Sequence, residues 1–448
     1  MCEHAANSFV NLRWKPGRFF ARVGGVTTPL LPRRQFLKTS LAAAGGFVAA
    51  PWLARAQEVL SERPLKVGVI GCGGRGLGAA ANALRADRRT SVCALADVFP
   101  ERIEAARRLL GSQFPGRAQV DDNHCFAGLD GYKKLLSTDI DLAILATPPC
   151  FRPDMVAAAV RARKHLYVEK PVAVDVPGVL SILQTAELAR EHRLVILDGY
   201  CWRYDAANGE AHRQLNAGAI GKPLHFDAKY YAAPPKSPLA RDSRPAGESD
   251  VAWALRNWTA WNWLSGGPFV EQACHAVDGM IWSFGERLPV AAKGCGGRTQ
   301  RRDDGDVWDH YDVYFEYEDG SEHHISSRQW TGSHGEIADR TIGERGTLHT
   351  PYRPRILGEN RWRYRGEPNN MYDATHVELF RCIRSGEWKQ TLAPAAEKTL
   401  VAILGRDAAH TGKRLMLGDL RRSTVQLMPD RLTMETRLSP ARIPFPGT

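Results

Sequence analysis

No C-x-x-C pair occurs anywhere in the 448 residues, and the nine cysteines, at positions 2, 72, 93, 125, 150, 201, 274, 295 and 382, are scattered. That spacing fits neither a zinc site nor the disulfide frame of a small secreted domain. The expectation is reduced, buried cysteines that serve as small apolar residues. Long hydrophobic runs are missing too. The best candidate, residues 41–53, falls short of the ~20 residues a helix needs to cross a bilayer, so no stable membrane insertion is expected. Internal repeats are absent, which excludes solenoids and propellers. Acids are nearly absent from the first 56 positions, which hold Glu3 alone against eight Lys and Arg. More than half of the net charge of +11 therefore lies in that stretch. The body offers no global field for a polyanion, and no nucleic-acid partner is expected. The length allows two or three domains, and 44% hydrophobic residues is ordinary for globular chains.

The basic N-terminus reads as an address. Arg33-Arg34-Gln35-Phe36-Leu37-Lys38 precedes the apolar stretch 41–53 and then Ala54-Arg55-Ala56. A basic region, a short apolar region and an A-x-A site are the parts of an export signal. The twin arginine resembles the signal that exports proteins already folded. Residues 1–56 are therefore expected to be a cleaved twin-arginine signal, with Gln57 as the mature N-terminus and the periplasm as destination. The 32 residues ahead of Arg33 point to an upstream start codon.

Beyond residue 56 the pattern is α/β. Apolar runs at 65–70, 92–96, 141–146, 165–168 and 194–197 read as strands. Helical stretches at 76–86, 101–110, 154–163 and 179–191 alternate with them. Such alternation indicates a doubly wound parallel sheet covered on both faces. After residue 199 the texture changes. Residues 222–231, 309–317, 322–330 and 336–342 read as consecutive strands of an open, mostly antiparallel sheet. The four prolines of 234–247 make a long loop. Late helices at 373–384 and 394–411 are expected to pack back on the first domain, with Pro394 at a first helical position. The domains expected are 57–199 for a dinucleotide, 200–412 for a substrate, and a tail over 413–448.

Gly71-Cys72-Gly73-Gly74-Arg75-Gly76 fits G-x-G-x-x-G at the end of the first strand and the start of its helix. In that context Gly71 makes the turn, Gly73 lets a pyrophosphate approach, and Gly76 packs helix on strand. Asp97 closes the second strand, 26 residues after Gly71. A carboxylate there accepts from a ribose 2′-hydroxyl and repels a 2′-phosphate, so NAD is favoured over NADP, with Arg102 as a counter-signal.

Two further features carry chemistry. Glu169-Lys170-Pro171 follows the strand 165–168, so Lys170 reaches the crevice beyond the strand ends, where an ammonium can stabilise an alkoxide. Residues 273–284 read as a helix on which Glu271, His275 and Asp278 share one face. A neighbouring carboxylate would orient the imidazole and raise its basicity, which suits His275 as a proton acceptor. The Glu, His and Asp spacing matches no established metal site. Several of the twelve tryptophans fall in 253–263. They are expected to be mostly core, although indoles also stack on sugars.

These features resemble the Gfo/Idh/MocA oxidoreductases, from about residue 65 to about 412. The likeness rests on VGVIGCGGRG, ALADV, LAILATPP, KHLYVEKP, Arg203-Tyr204, GGPFVEQACHAVD and GRDAAHTGK. It implies that Lys170 and His275 act on a substrate hydroxyl, with Glu271, four residues earlier, accompanying the histidine. Thr147, Pro148, Glu169 and Lys170 are implied at the cofactor. Arg203, Tyr204, Asp278 and His376, together with Asp309 and His310, are implied as substrate contacts. The chain departs from the pattern with Glu271 and Ala273 in place of Asp and Gly. It also carries Cys150, Phe151 and Arg152 where a histidine is often found. The implied reaction is hydride transfer between a sugar or cyclitol carbinol and a nicotinamide cofactor. The alternatives are an NAD-dependent glycosidase, disfavoured by the intact Lys170, and a non-catalytic dinucleotide sensor. Export would require a cofactor that stays bound and is reset within each turnover, hence a redox-neutral net reaction. A homo-oligomer, dimer or tetramer, is expected through the open sheet.

Overall fold

The computed structural model describes residues 62–447; the export signal expected over 1–56, and Cys2 with it, lies outside them. Six strands form the first sheet: β1 (Leu65–Ile70), β2 (Thr90–Asp97), β3 (Cys125–Ala127), β4 (Leu142–Leu145), β5 (His165–Val168) and β6 (Ile196–Asp198). All pair in parallel, in the order β3-β2-β1-β4-β5-β6. Their connections are α1 (Gly74–Ala86), α2 (Pro100–Gln113), α3 (Gly131–Leu136), α4 (Arg152–Arg161) and α5 (Val176–Glu191). Parallel strands need covered faces, which explains why β4 reads as an unbroken apolar run with every residue buried. The order reverses direction beside β1, so the crevice opens beyond the carboxyl ends of β1 and β4.

The second sheet has nine strands in the order β14-β13-β12-β11-β7-β10-β9-β8-β15. These are β7 (Pro223–Ala232), β8 (Ala291–Gly297), β9 (His310–Glu316), β10 (Glu322–Gln329), β11 (Glu336–Gly343), β12 (Gly346–Thr350), β13 (Arg355–Gly358), β14 (Trp362–Arg363) and β15 (Leu415–Met416). Every pairing is antiparallel except β7 with β10. Alternation sets the inner face: Tyr311, Val313 and Phe315 of β9 are buried, while His310, Asp312 and Tyr314 face outward. Helices α6 (Ala206–Asn216), α7 (Asp250–Arg256), α8 (Asn262–Ser265), α9 (Gly267–Glu271), α10 (Cys274–Ser283), α11 (Met371–Ser385), α12 (Leu392–Thr411) and the short α13 (Leu417–Leu420) complete the fold. One continuous core runs from Leu145 and Val168 of the first sheet through Ile403 of α12 to Val313 and Ile325 of the second.

Several details differ from the sequence reading. Strand β8 escaped it because AAKGCGG carries three glycines. They are needed there, since a Cβ on Gly294 or Gly296 would lie 2.7 Å or 2.3 Å from a β9 carbonyl oxygen. Helix α12 starts at Leu392, which makes Pro394 its third residue rather than its first; no intrahelical bond is lost there either. All eight described cysteines are free, but Cys93 and Cys125 are only half-buried and Cys295 is exposed. Trp253, Trp261 and Trp263 are core. Residues beyond 412 are no loose tail. They supply β15, and then cross the α7–α8 region, where Leu427 N–H donates to Asp175 (2.9 Å) and Leu438 N–H to Asp250 (3.1 Å). Leu427, Leu432 and Leu438 pack on the cluster of Val251 and Leu264.

The packed interior also holds neutral histidines. Burial lowers His165, His212, His323 and His376 to about 4, and His410 to about 3. In an unfolded chain the same rings protonate near 6.5. Below that pH the unfolded state binds more protons, so stability holds above about pH 6.5 and drains away as pH falls toward 4. The urea midpoint should drop steadily between pH 7 and pH 5; a flat midpoint over that interval would contradict buried neutral imidazoles.

Candidate active site

A cavity of about 440 Å³ lies where the strand ends of the first sheet meet the second domain. One end is built from the first glycine turn. Gly71 has φ +94°, and a Cβ there would lie 2.8 Å from the Ala146 carbonyl. A Cβ on Gly76 would sit 1.8 Å from Gly71 O, so the helix can approach the strand only without a side chain. In front of Gly73 and Gly74 nothing lies within 4 Å of where a Cβ would stand. Gly73 caps α1 without a side-chain acceptor, which leaves the helix's first N–H groups for an anion. Cys72 contributes its N–H rather than its thiol: the amide donates to Asp97 Oδ2 at 2.8 Å, and the sulfur is buried. Asp97 Oδ1 accepts from Phe99 N–H at 3.0 Å, and Arg102 stands 3.9 Å away. The carboxylate is thus fixed against the turn, at the cavity wall with Arg102. An open cradle at Gly73–Gly74, a helix start and a fixed carboxylate fit a dinucleotide.

The other end gathers the reactive groups. Thr147, Pro148, Glu169 and Lys170 line the cavity, as do Glu271, Gln272 and His275 from the second domain. Glu169 accepts from Tyr167 Oη at 2.8 Å and lies 2.9 Å from Arg75 Nε, an ion pair without hydrogen-bond alignment. The Lys170 ammonium donates to the Glu271 carbonyl and lies 3.2 Å from Glu271 Oε1. Burial is the largest single influence and lowers its pKa, but the neighbouring Glu271, Cys274, Tyr230 and Glu169, with Glu271 foremost, together outweigh it and raise it, so Lys170 stays charged. His275 is buried, stacks on Trp202 at 4.8 Å, and meets Tyr200 edge-on at 6.0 Å. Its Nδ1 has no partner, and burial plus the Lys170 charge lowers it to about 3. It is a neutral imidazole whose buried Nδ1 is unpartnered.

The expected carboxylate beside His275 is absent. Helix α9 stops at Glu271, Gln272 and Ala273 turn the chain, and α10 starts at Cys274. Glu271 and His275 therefore do not share one helical face, and Glu271 accompanies the lysine instead. Asp278 is turned away as well, 2.8 Å from Arg203 Nε and 2.9 Å from Lys398 Nζ, beneath the site. Burial would raise its pKa, and the two cations overcome this and lower it.

Among the expected substrate contacts, Arg203 is spent on Asp278 and Glu286. Tyr204 packs in the first domain's core, with Lys389 above its ring. His376 is wholly buried, donating from Nδ1 to Tyr372 O at 2.8 Å and lying 4.3 Å from the Tyr167 ring. Asp309 is wholly buried and accepts from the N–H groups of Thr299, Gln300 and Arg301, with His310 bonded to it. None of these residues lines the cavity. An aromatic wall does, made of Trp202, Tyr230, Tyr352 and Tyr372. Tyr230 Oη donates to Gln272 at 2.9 Å, and Trp202 lies 6.3 Å from Tyr352. Arg152 also escaped the sequence reading. It is buried and donates to the carbonyls of Thr147 and Pro171, tying the loop after β4 to the loop after β5.

The comparisons with known proteins agree with this geometry. Residues 65–197 match the model of an oxidoreductase family with an NAD-binding Rossmann fold, and residues 209–349 match the GFO/IDH/MocA C-terminal domain. An inositol 2-dehydrogenase of Acidothermus cellulolyticus is 26% identical over 374 residues, covering 79% of this chain and 94% of its own. Inositol 2-dehydrogenase 4 of Saccharopolyspora erythraea is 32% identical over 178 residues, 39% of this chain and 48% of its own. The match thus spans about half the length of that relative. A levoglucosan dehydrogenase solved with NADH and L-sorbose superposes with a TM-score of 0.64 at 18% identity, over 79% of this chain and 99% of its own. At that identity the likeness speaks for the fold. With both domain models of one family matched in sequence order across the two sheets described here, the chain belongs to the Gfo/Idh/MocA family of NAD(P)-binding oxidoreductases.

Proposed function

We propose that this protein transfers a hydride between a carbinol carbon of a sugar or cyclitol and a nicotinamide cofactor. The supporting observation is that one cavity takes in the glycine turn, the Lys170 ammonium and the neutral His275 ring. A nicotinamide dinucleotide would supply the hydride acceptor in oxidation and the donor in reduction. Gly71, Gly73 and Gly74 would hold its pyrophosphate, Asp97 its ribose, and Thr147 and Pro148 its nicotinamide half. His275, a neutral imidazole at the cavity wall, takes the hydroxyl proton, and Lys170 stabilises the oxygen left behind. Glu271 positions Lys170 and keeps it charged. Trp202, Tyr230 and Tyr352 offer aromatic faces to the apolar side of a sugar ring.

Cofactor choice, residence and location belong to the same reading. We favour NAD over NADP, because the Asp97 carboxylate repels a 2′-phosphate. Leu255 and Trp258 line the cofactor end of the cavity, and Arg256 holds Glu101 at 2.8 Å while stacking 4.0 Å above Phe99. The segment beyond residue 412 packs against this wall, which suits a cofactor carried out folded through the twin-arginine route and reset by paired oxidation and reduction. The helix-free face of the second sheet, with Tyr231, Tyr314 and His324, is where a second copy would pair.

Four outcomes are expected. Lys170→Ala should lower kcat about 10²–10³-fold and His275→Asn about 10²–10⁴-fold on a panel of sugars and cyclitols read at nicotinamide absorbance. Because His275 accepts a proton only when neutral, the acid limb of kcat/KM should fall below pH 5; a limb near 6.5 would argue for another base. Asp97→Ser should narrow the NADH-over-NADPH affinity ratio by at least about tenfold, measured by fluorescence titration. Protein recovered from the periplasm should carry near-stoichiometric NAD through gel filtration, and Arg256→Ala should shed it. A fully active, cofactor-free preparation would end the resident-cofactor reading.

A further inference from the structure

A second concavity, a groove of about 690 Å³, lies at the edge of the nine-stranded sheet. Arg355 of β13 and Arg361, Arg363 and Arg365 in and around β14 line it, with Trp362 and Tyr364 set between them. The two aromatic rings are half-buried and the four arginines exposed. None of the four guanidinium groups makes a side-chain hydrogen bond or ion pair with a described residue. The groove's one acid, Glu210, is already engaged by Arg213 and Gln214. Arg355 and Arg363 stand directly opposite each other in the β13–β14 ladder. Like charges in that relation destabilise a sheet. Charges on an edge strand do protect it from pairing with other chains, but protection does not require two of them to face each other.

We propose that this groove binds the acidic part of an oligosaccharide whose reactive end occupies the main cavity. Planar guanidinium groups match uronate carboxylates two bonds at a time. The inference rests on the sugar reading of the main cavity, and the chain itself joins the two sites. Tyr352 lines that cavity and Arg355 lines the groove, so at most about 10 Å of backbone separates them. The basic strip is short and the rest of the body lacks a basic field, which disfavours a nucleic acid.

Calorimetric titration of the full-length protein with trigalacturonate tests this, with maltotriose as the neutral control. Trigalacturonate should bind, its affinity should fall as salt rises, and Arg355→Ala/Arg363→Ala should weaken it at least about tenfold. That double variant relieves a repulsion, so its urea midpoint should not drop, and any weak maltotriose binding should be unchanged. Lys170→Ala should cut turnover while the arginine- and salt-dependent part of trigalacturonate binding persists, which separates the groove from the chemistry. If trigalacturonate binds through the arginines but no sugar or cyclitol of any kind is turned over, the groove stands and the reading of the main cavity fails; turnover of neutral sugars alone would overturn the proposal. Absence of binding, binding indifferent to the arginine variants, or tighter binding of a short DNA duplex through the same arginines would overturn the proposal.

Discussion

The ion pair between Lys170 and Glu271 is the contact on which the site depends. One partner comes from the loop after β5 in the first domain and the other from the end of α9 in the second. Both side chains are about nine-tenths shielded from solvent, at 11% and 12% exposure. A pair this buried stabilises little in net terms, yet losing one member strands a charge and typically costs 3–5 kcal/mol, a rough range. What the pair provides is a fixed position. It keeps an ammonium charged at the cavity wall and holds the two domains in register around it.

Around that pair the structure divides the work among elements. The first sheet delivers backbone donors and a carboxylate to one end of the cavity. The second domain delivers the imidazole, the aromatic wall and Gln272 to the other. Arg152 keeps the loops after β4 and β5 together. Beneath, Asp278 with Arg203 and Lys398 forms a charged anchor for α10 that never reaches the cavity. Groups that look alike in sequence, three titratable residues within eight positions, thus serve three different purposes.

Much of this was legible in the chain. The glycine turn, Asp97 and Lys170 are local features, because a strand end and a helix start fix where they point. The strands and helices of the first domain follow from apolar runs with the right period. What stayed hidden was long-range. That Glu271 would face Lys170 depended on a helix break at Gln272–Ala273, which no breaker residue marks. Trp202, Tyr230, Tyr352 and Tyr372 lie far apart along the chain, and nothing local distinguishes an aromatic at a cavity wall from one in the core. His376 illustrates the reverse error. A histidine one turn beyond Tyr372 points inward and is sealed, while the tyrosine meets the cavity.

The break between α9 and α10 has a consequence for how such a site can change over generations. The lysine's partner and the imidazole ride on separate helices, each seated by its own packing. Drift in the α9 segment can retune the ammonium, and drift in α10 the ring. Substrate range can then diverge while the hydride chemistry beneath it persists.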